Sequence, residues 1–231
     1  MDKKIYTENK YIWLLISLII FLVLTPFRAM ELPGADFISS VAYTCILGTA
    51  IYACRQDKHM LIFTAILSFP AVVSYWFHSS HSTNSPEILL GSGTAFYICY
   101  ICVITKEMLT SSQTIYNKLA ASLCTYLMIG ISFAYAYTLI ELKMPGSFVF
   151  PDTSHLEHTT EQVIPHIYDL IYHSYVTLST LGYGDIQPRS TLTRTLCIAE
   201  ALFGQIYLVV IVASIVNSAN QNDFHPETRK K

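Results

Sequence analysis

The chain has 231 residues, of which 52% are apolar and only 13% are charged, about half the charged fraction of an ordinary soluble protein. Its formal net charge at pH 7 is −2. The sequence shows no nucleotide-binding motif, no metal-cofactor motif and no catalytic set. We therefore expect neither an enzyme nor a resident cofactor, and no nucleic-acid partner. The composition indicates a polytopic membrane protein.

Five uncharged runs are long enough to cross a membrane, since each has roughly 17 to 22 residues. In chain order they are 11–27, 37–54, 60–77, 88–105 and 119–140. A sixth run, 193–217, contains two charged residues, Arg194 near its start and Glu200 further in. Lys3 and Lys4 before the first run are also compatible with a signal peptide. The sequence Thr-Pro-Phe-Arg that ends this run is a poor cleavage site, so we expect a retained helix and six transmembrane helices in all.

A seventh apolar piece, 165–179, is too short to span and leads directly into the sequence TLGYGD at 180–185. We interpret it as a re-entrant pore helix. Irregular backbone at membrane depth is tolerated only where protein or a water-filled cavity surrounds it. A segment of this kind therefore predicts that residues 180–185 line a cavity rather than face lipid.

The sequence TLGYGD has the chemistry of a potassium filter. Gly182 and Gly184 flank Tyr183 and allow the backbone to alternate between right- and left-handed conformations. Successive carbonyl groups can then point at one axis and replace the water shell of K⁺. Thr180 adds a hydroxyl group at the inner end, and Asp185 places a carboxylate at the outer mouth.

The basic residues between the runs are distributed unevenly. With the N-terminus in the cytoplasm, ten of the 14 Lys and Arg residues lie on the cytoplasmic side and four lie outside, in agreement with the positive-inside rule. The same orientation brings residues 180–185 into the membrane from outside. We therefore expect a multi-pass protein of the cell membrane with cytoplasmic N- and C-termini.

The region 119–217 resembles the pore domain of tetrameric potassium channels, with TLSTLGYGDIQP at 177–188 at its centre. The resemblance implies an all-α membrane protein with six transmembrane helices, a re-entrant pore helix and a selectivity filter in each subunit of a homotetramer. Its function would be passive transport of K⁺, the permeant ion, in contact with membrane lipid. The corresponding division is a four-helix module at 1–112, a pore domain at 113–220 and a short cytoplasmic tail at 221–231.

The resemblance also assigns roles by position. Gly184 closes the outer end of the filter, while the hydroxyl groups of Thr177 and Ser179 brace it from the pore helix. Position 181 is more often Val or Ile in the family, so a weakly selective cation channel is an alternative. The K⁺ ligands are expected to be the carbonyl oxygens of Thr180, Leu181, Gly182 and Tyr183, together with the Thr180 hydroxyl group.

Three further positions are expected to support the filter. Tyr172 and His173 stand where family members often carry a pair of Trp residues, and either ring could reach Tyr183 or Asp185. His173 would then make the filter sensitive to pH, or else it is a neutral packed histidine. Glu200 must have a partner or face water, so we interpret it as a brace behind the filter or as a cavity-lining charge. Its candidate partners are pore-helix hydroxyl groups, His173 and Arg194.

Gly204 lies at mid-length in the last run, where the resemblance implies a hinge and close helix packing is the alternative. Leu208, Ile211 and Ile215 follow at helical spacing and are candidates for an apolar gate, with lipid contact as the alternative for each. The fourth run lacks the repeated Arg or Lys of a voltage sensor, so conventional voltage gating is not expected. A non-conducting regulatory or scaffold subunit is a further alternative function.

Overall fold

The computed structural model describes residues 10–29, 34–54, 58–79, 86–110, 115–151 and 167–223. Within these ranges the chain forms seven α-helices and two strands of two residues each. The first five helices are α1 (Lys10–Ala29), α2 (Ala35–Ala53), α3 (Lys58–Ser79), α4 (Pro86–Thr110) and α5 (Ile115–Lys143). They are followed by β1 (Phe148–Val149), α6 (Ile167–Leu178), β2 (Gln187–Pro188) and α7 (Thr191–Asp223).

Four of the described helices are long and apolar enough to cross a membrane. Their spans are Lys10–Phe27, Glu87–Met108, Tyr116–Lys143 and Thr191–Ile211. Helices α2 and α3 carry shorter apolar stretches, Phe37–Ala53 and Leu61–Val73. A helix bonds all its interior backbone groups within itself, which a lipid environment requires. The chain is thus a largely helical membrane protein, and the number of six spanning helices stays a prediction.

Helix α5 packs against both the N-terminal helices and the C-terminal part of the chain. Its residues Cys124, Met128 and Ile131 are buried in one core with side chains from α1, α2 and α4. The ring of Tyr135 meets that of Tyr97 on α4 edge to face, with centroids 5.7 Å apart. Gly93 makes this approach possible, because a Cβ atom there would lie 2.6 Å from the Tyr135 ring. The four N-terminal helices therefore do not form a separate core.

A two-stranded sheet frames the loop between α5 and α7. Strands β1 and β2 are antiparallel, with Phe148 opposite Pro188. The turn before β1 is fixed by Glu141, whose carboxylate accepts hydrogen bonds from the backbone N–H groups of Gly146 at 2.7 Å and Phe148 at 2.9 Å. The sheet thereby joins the two ends of the segment between α5 and α7 that contains α6.

Helix α6 has 12 residues, about 18 Å, and is too short to cross a bilayer. Two of its side chains donate hydrogen bonds to backbone carbonyls of α5: Ser174 to Gly130 at 2.7 Å and Tyr175 to Leu127 at 2.7 Å. Gly130 allows the contact, since a Cβ atom there would lie 2.6 Å from the Tyr175 ring. The apolar run 165–179 thus contains a short helix held against α5, and its re-entry into the membrane stays a prediction.

Helix α7 presents a broad apolar surface that the other described residues of the chain leave exposed. One side of the helix packs against α5 and α6. Apolar surface of this extent marks contact with lipid or with another protein chain. The large exposed apolar side chains are Leu192, Ile198, Leu202, Phe203, Ile206, Leu208, Val209 and Val210.

A buried charged group joins the ends of three N-terminal helices. Lys10, only 3% exposed, forms an ion pair with Glu107 on α4 and donates a hydrogen bond to the Ala53 carbonyl of α2 at 3.3 Å. The hydroxyl group of Tyr11 donates to the other oxygen of Glu107 at 2.6 Å. Burial of Lys10 is tolerable because its charge is compensated.

We predict that breaking this pair destabilises the protein more than breaking an exposed one. Glu107→Gln leaves the Lys10 charge uncompensated, which should cost about 2–4 kcal/mol. The control is Glu87→Gln, because Glu87 pairs with Lys143 at 3.7 Å and both side chains are more than half exposed. Its cost should stay below about 1 kcal/mol. Chemical denaturation in detergent measures both, and equal losses would contradict the prediction.

Candidate functional site

Helix α6 ends in a turn that directs the following segment back toward the helix. The backbone N–H group of Thr180 donates to the carbonyl of Thr177 at 3.0 Å. The N–H groups of Leu181 and Gly182 both donate to the carbonyl of Val176, at 3.0 and 3.3 Å. These bonds satisfy carbonyl groups that a helix C-terminus otherwise leaves unpaired. They also hold the amide groups of residues 181 and 182 on the side of the segment that faces α6.

The helix is slightly shorter than the sequence predicted. Ser179, expected on the pore helix, lies in the turn after its last residue, Leu178. Its hydroxyl group donates to the carbonyl of Tyr175 at 2.6 Å. Thr177 does lie on the helix. Serine is a poor residue to continue a helix because its hydroxyl group competes for backbone partners, and this one bonds back to the helix.

The backbone alternates in handedness through residues 180–184. The φ angles of Thr180, Gly182 and Gly184 are +62°, +58° and +75°, whereas those of Leu181 and Tyr183 are negative. Thr180 is the one residue other than glycine with positive φ in the described part of the chain. A β-branched residue in this conformation is strained by roughly 1–3 kcal/mol, so the surrounding structure must impose it.

This alternation has a definite consequence for the peptide groups. In a backbone that alternates between right- and left-handed residues, successive N–H groups face one side, so the carbonyl groups face the other. The N–H groups of Leu181 and Gly182 point at Val176. A trans peptide places its carbonyl group opposite its N–H group, so the carbonyl groups of Thr180 and Leu181 point away from α6. Beyond them, the Gly184 carbonyl accepts a hydrogen bond from the Gln187 side chain at 2.9 Å.

Tyr172 ties the outer end of this segment to α6. Its hydroxyl group donates to Asp185 Oδ2 at 2.7 Å, and the Ile186 N–H group donates to Asp185 Oδ1 at 3.0 Å. The bond from Tyr172 is the main reason that the pKa of Asp185 lies below its usual value. The same bond raises the pKa of Tyr172 to about 12. Of the two rings proposed to reach Asp185, Tyr172 is the one that bonds to it.

His173 points to the opposite side of α6. Its ring is buried, with Nε2 at 3.4 Å from Cys197 Sγ and ring centroids 5.4 Å from Phe148 and 5.8 Å from Tyr137. Burial lowers the pKa of His173 below its usual value, so the ring is neutral at pH 7. The structure thus places His173 in a packed aromatic cluster with Tyr137 and Phe148.

Glu200 is fully buried where α5, α6 and α7 meet. One carboxyl oxygen is in short hydrogen-bond contact with the Ser174 hydroxyl group, and the other accepts a bond from Tyr137 at 2.6 Å. A pore-helix hydroxyl group was among the partners considered. Of the others, His173 lies against Cys197 and Arg194 bonds to the Pro188 carbonyl at 3.2 Å. Tyr137 was missed, since only the packing of α5 on α7 reveals it.

Gly204 touches the C-terminal end of α6. A Cβ atom at this position would lie 2.5 Å from the Leu178 carbonyl oxygen. The same oxygen accepts a hydrogen bond from Tyr126 on α5 at 3.3 Å. Gly204 therefore allows α7 to pack directly against the backbone that begins the segment 180–184. Close packing accounts for the glycine in this conformation, and its role as a hinge stays a prediction.

The gate candidates do not share one environment. Leu208 is 45% exposed, whereas Ile211 is 7% exposed and packed within the chain. The side chain of Ile215 lies outside the described residues. Between Gly204 and Leu208, the Tyr207 hydroxyl group donates to the Ser122 carbonyl of α5 at 3.0 Å. Their role in gating stays a prediction.

The structure thus holds a short helix, α6, between the apolar helices α5 and α7, and the amide groups that follow α6 bond back to it. The comparison with family models concerns the same helices. Residues 123–221 match the model described as Ion channel, and this stretch runs from α5 to α7. The match supports an ion-channel family and an ion-channel function. Comparisons with curated proteins and with solved structures gave no match.

We predict that Tyr172→Phe raises the pKa of Asp185. The substitution keeps the ring and removes the hydroxyl donor that stabilises the ionised carboxylate. Asp185 should then take up its proton at a higher pH than in the unaltered protein. A ¹³C NMR titration of the Asp185 carboxyl group measures this, with Tyr116→Phe as the control because that tyrosine is exposed at the start of α5. A titration unchanged by Tyr172→Phe would refute the assignment.

We also predict that Gly204→Ala destabilises the packing of α7 on α6. The added methyl group meets a backbone oxygen that cannot rotate away, which should cost about 1–3 kcal/mol. Gly48→Ala is the matched control, since a Cβ atom there has no neighbour within 4 Å. Thermal unfolding in detergent compares the two. Equal melting temperatures for the two variants would show that the contact with Leu178 is not restrictive.

Proposed function

We propose that the protein is a potassium-selective channel that conducts K⁺ passively across the cell membrane. The observation that carries this proposal is the alternation of φ at Thr180, Gly182 and Gly184. It turns the carbonyl groups of residues 180–183 to one side, where they can replace the water around a dehydrated ion. The hydroxyl group of Thr180 adds a ligand at the inner end. The ion contacts backbone oxygen, so Leu181 is compatible with K⁺ binding.

The end of helix α6 provides a second attraction for a cation. The helix dipole places partial negative charge at the C-terminus, and the last residues of α6 lead directly into the segment 180–184. At the other end, Asp185 is held by Tyr172 in its ionised form. A cation entering this path therefore meets negative potential at both ends.

One chain supplies only one strand of a pore, so the proposal requires several copies around an axis. The side chains of Leu181 and Tyr183 and the outer surface of α7 are exposed in the single chain. A closed ring of identical chains would cover these surfaces. We propose a homotetramer, with the carbonyl groups of residues 180–183 at its centre and membrane lipid around it.

The proposed gating does not use a charged voltage sensor. Helix α4 carries no basic residue before Lys106, and moving charge through the field is the source of voltage dependence, about 2.3 kcal/mol per charge per 100 mV. Lys10, at the start of α1, is paired with Glu107. In the proposed orientation the N-terminus is cytoplasmic and residues 180–185 lie near the outer face.

Flux through the purified full chain in liposomes tests the function. We predict K⁺ flux that Ba²⁺ blocks, little Na⁺ flux, and no steep dependence on voltage. Gly182→Ala should lower K⁺ flux at least about tenfold, because an L side chain resists positive φ. The control is Gly48→Ala, which has room for its methyl group and should conduct normally.

Other outcomes would replace the proposal. Equal K⁺ and Na⁺ flux would indicate a weakly selective cation channel. No flux of either ion in any lipid or pH tested would indicate a non-conducting regulatory or scaffold subunit. A Gly182→Ala variant that conducts K⁺ like the unaltered protein would contradict the role of the alternating backbone.

A further inference from the structure

The buried junction of α5, α6 and α7 contains a chain of four oxygen-bearing groups. In order they are the Tyr137 hydroxyl group, the Glu200 carboxyl group, the Ser174 hydroxyl group and the Gly130 carbonyl group. Tyr137 lies 2.6 Å from Glu200 Oε2. Ser174 Oγ is in short contact with Glu200 Oε1 and lies 2.7 Å from the Gly130 carbonyl oxygen. Glu200 is 0% exposed and Ser174 is 0% exposed.

The three contacts are each at hydrogen-bond distance between two oxygen atoms, so together they need three protons. Each must hold one, because two bare oxygens so close together repel. Tyr137 supplies one proton and Ser174 supplies one, since a hydroxyl group has a single proton to donate. A backbone carbonyl has none. The third proton must therefore come from Glu200.

We infer that Glu200 is a neutral carboxylic acid in the folded protein and acts as a hydrogen-bond donor. Its Oε1–H group donates to Ser174 Oγ, Ser174 donates to the Gly130 carbonyl, and Tyr137 donates to Glu200 Oε2. Every contact then holds one proton. The neutral form also avoids the cost of a carboxylate buried among helices. In the described part of the chain, no cationic side chain pairs with Glu200.

The other titratable groups around Glu200 are also neutral donors or acceptors. Tyr137 and Tyr126 face it from α5, Tyr175 from α6, and Cys197 from one turn earlier on α7. None of them brings a positive charge. The environment of Glu200 thus offers hydrogen bonds rather than a counter-ion.

Glu141 shows the opposite arrangement in the same chain. It is also buried, but both of its carboxyl oxygens accept hydrogen bonds from backbone N–H groups, those of Gly146 and Phe148. Both Glu141 oxygens thus act as acceptors, whereas one oxygen of Glu200 faces a hydroxyl group that the proton count makes an acceptor. The two buried glutamates therefore differ in the groups that face them, which makes Glu141 a matched control.

The inference assigns Glu200 a positioning role, and this part rests on the proposed function. Ser174 lies two residues before Val176, whose carbonyl receives the N–H groups of Leu181 and Gly182. A donor at Glu200 fixes Ser174 between α5 and α7 and thereby fixes the end of α6. For this positioning role Glu200 must be neutral and must both donate and accept a hydrogen bond. If Glu200 instead concentrated cations in a cavity, it would have to be ionised.

Infrared spectroscopy of the full chain in lipid tests the protonation directly. The unaltered protein should show a carboxylic-acid C=O band that is absent from Glu200→Gln and present in Glu141→Gln. If Glu200→Gln instead removes a carboxylate band and leaves the carboxylic-acid bands unchanged, the inference is wrong. This measurement needs no ion flux, so it remains decisive even if the protein conducts no K⁺.

Flux measurements test the positioning role. Glutamine has the shape of the neutral acid and both a donor and an acceptor, so Glu200→Gln should keep K⁺ flux within about twofold of the unaltered protein. Glu200→Ala removes both bonds and should lose about tenfold or more. In Glu141→Gln the side-chain NH₂ group must face a backbone N–H donor, so we expect a clear loss of K⁺ flux in that variant.

Two flux results would overturn the positioning role. A K⁺ flux of Glu200→Gln as low as that of Glu200→Ala would show that the negative charge of Glu200 is needed. Glu200→Ala conducting normally would show that the network does not hold the filter. Should Glu200→Ala fail to fold, Glu200→Gln and Glu141→Gln still separate a neutral donor from a charge.

Discussion

The hydrogen bonds from the N–H groups of Leu181 and Gly182 to the Val176 carbonyl determine the geometry of the candidate pore segment. Because these two amide groups are held toward α6, the carbonyl groups of Thr180 and Leu181 must lie on the other side. Glycine supplies two of the three left-handed positions without strain. Thr180 supplies the third at a cost, which indicates that the turn after Leu178 is imposed by its surroundings. The segment therefore depends on an accurate position for the end of α6.

Several contacts hold α6 in that position. Ser174 and Tyr175 bond to backbone carbonyls of α5, and Glu200 links Ser174 to α7. Tyr172 fixes the C-terminal end of the segment through Asp185, while Gly204 brings α7 against Leu178 at its N-terminal end. Helix α5 in turn shares its core with α1, α2 and α4. The N-terminal helices thus support the helix on which the candidate pore is built, and a change in their packing would reach α6 through α5.

The sequence allowed the main parts of this arrangement to be predicted. A short apolar run before two glycines indicated a re-entrant helix, and glycine at 182 and 184 indicated left-handed backbone. The partners of Glu200 and the direction of His173 could not be predicted fully, because they depend on how α5 and α7 rotate against α6. Tyr137 is 63 residues from Glu200 in the chain, and no local pattern relates the two. The sharing of a core between α5 and the N-terminal helices is likewise a property of packing rather than of any single run.

The central claim is that the carbonyl groups of residues 180–183 bind dehydrated K⁺ on a common axis. Anomalous diffraction from crystals of the full chain grown with Rb⁺, a heavier ion of similar chemistry, tests it most directly. The account predicts a column of Rb⁺ peaks on a four-fold axis, each coordinated by these carbonyl oxygens, which is retained when Na⁺ is added in excess. Crystals without Rb⁺ peaks at these oxygens, or with a column that Na⁺ displaces, would contradict the account.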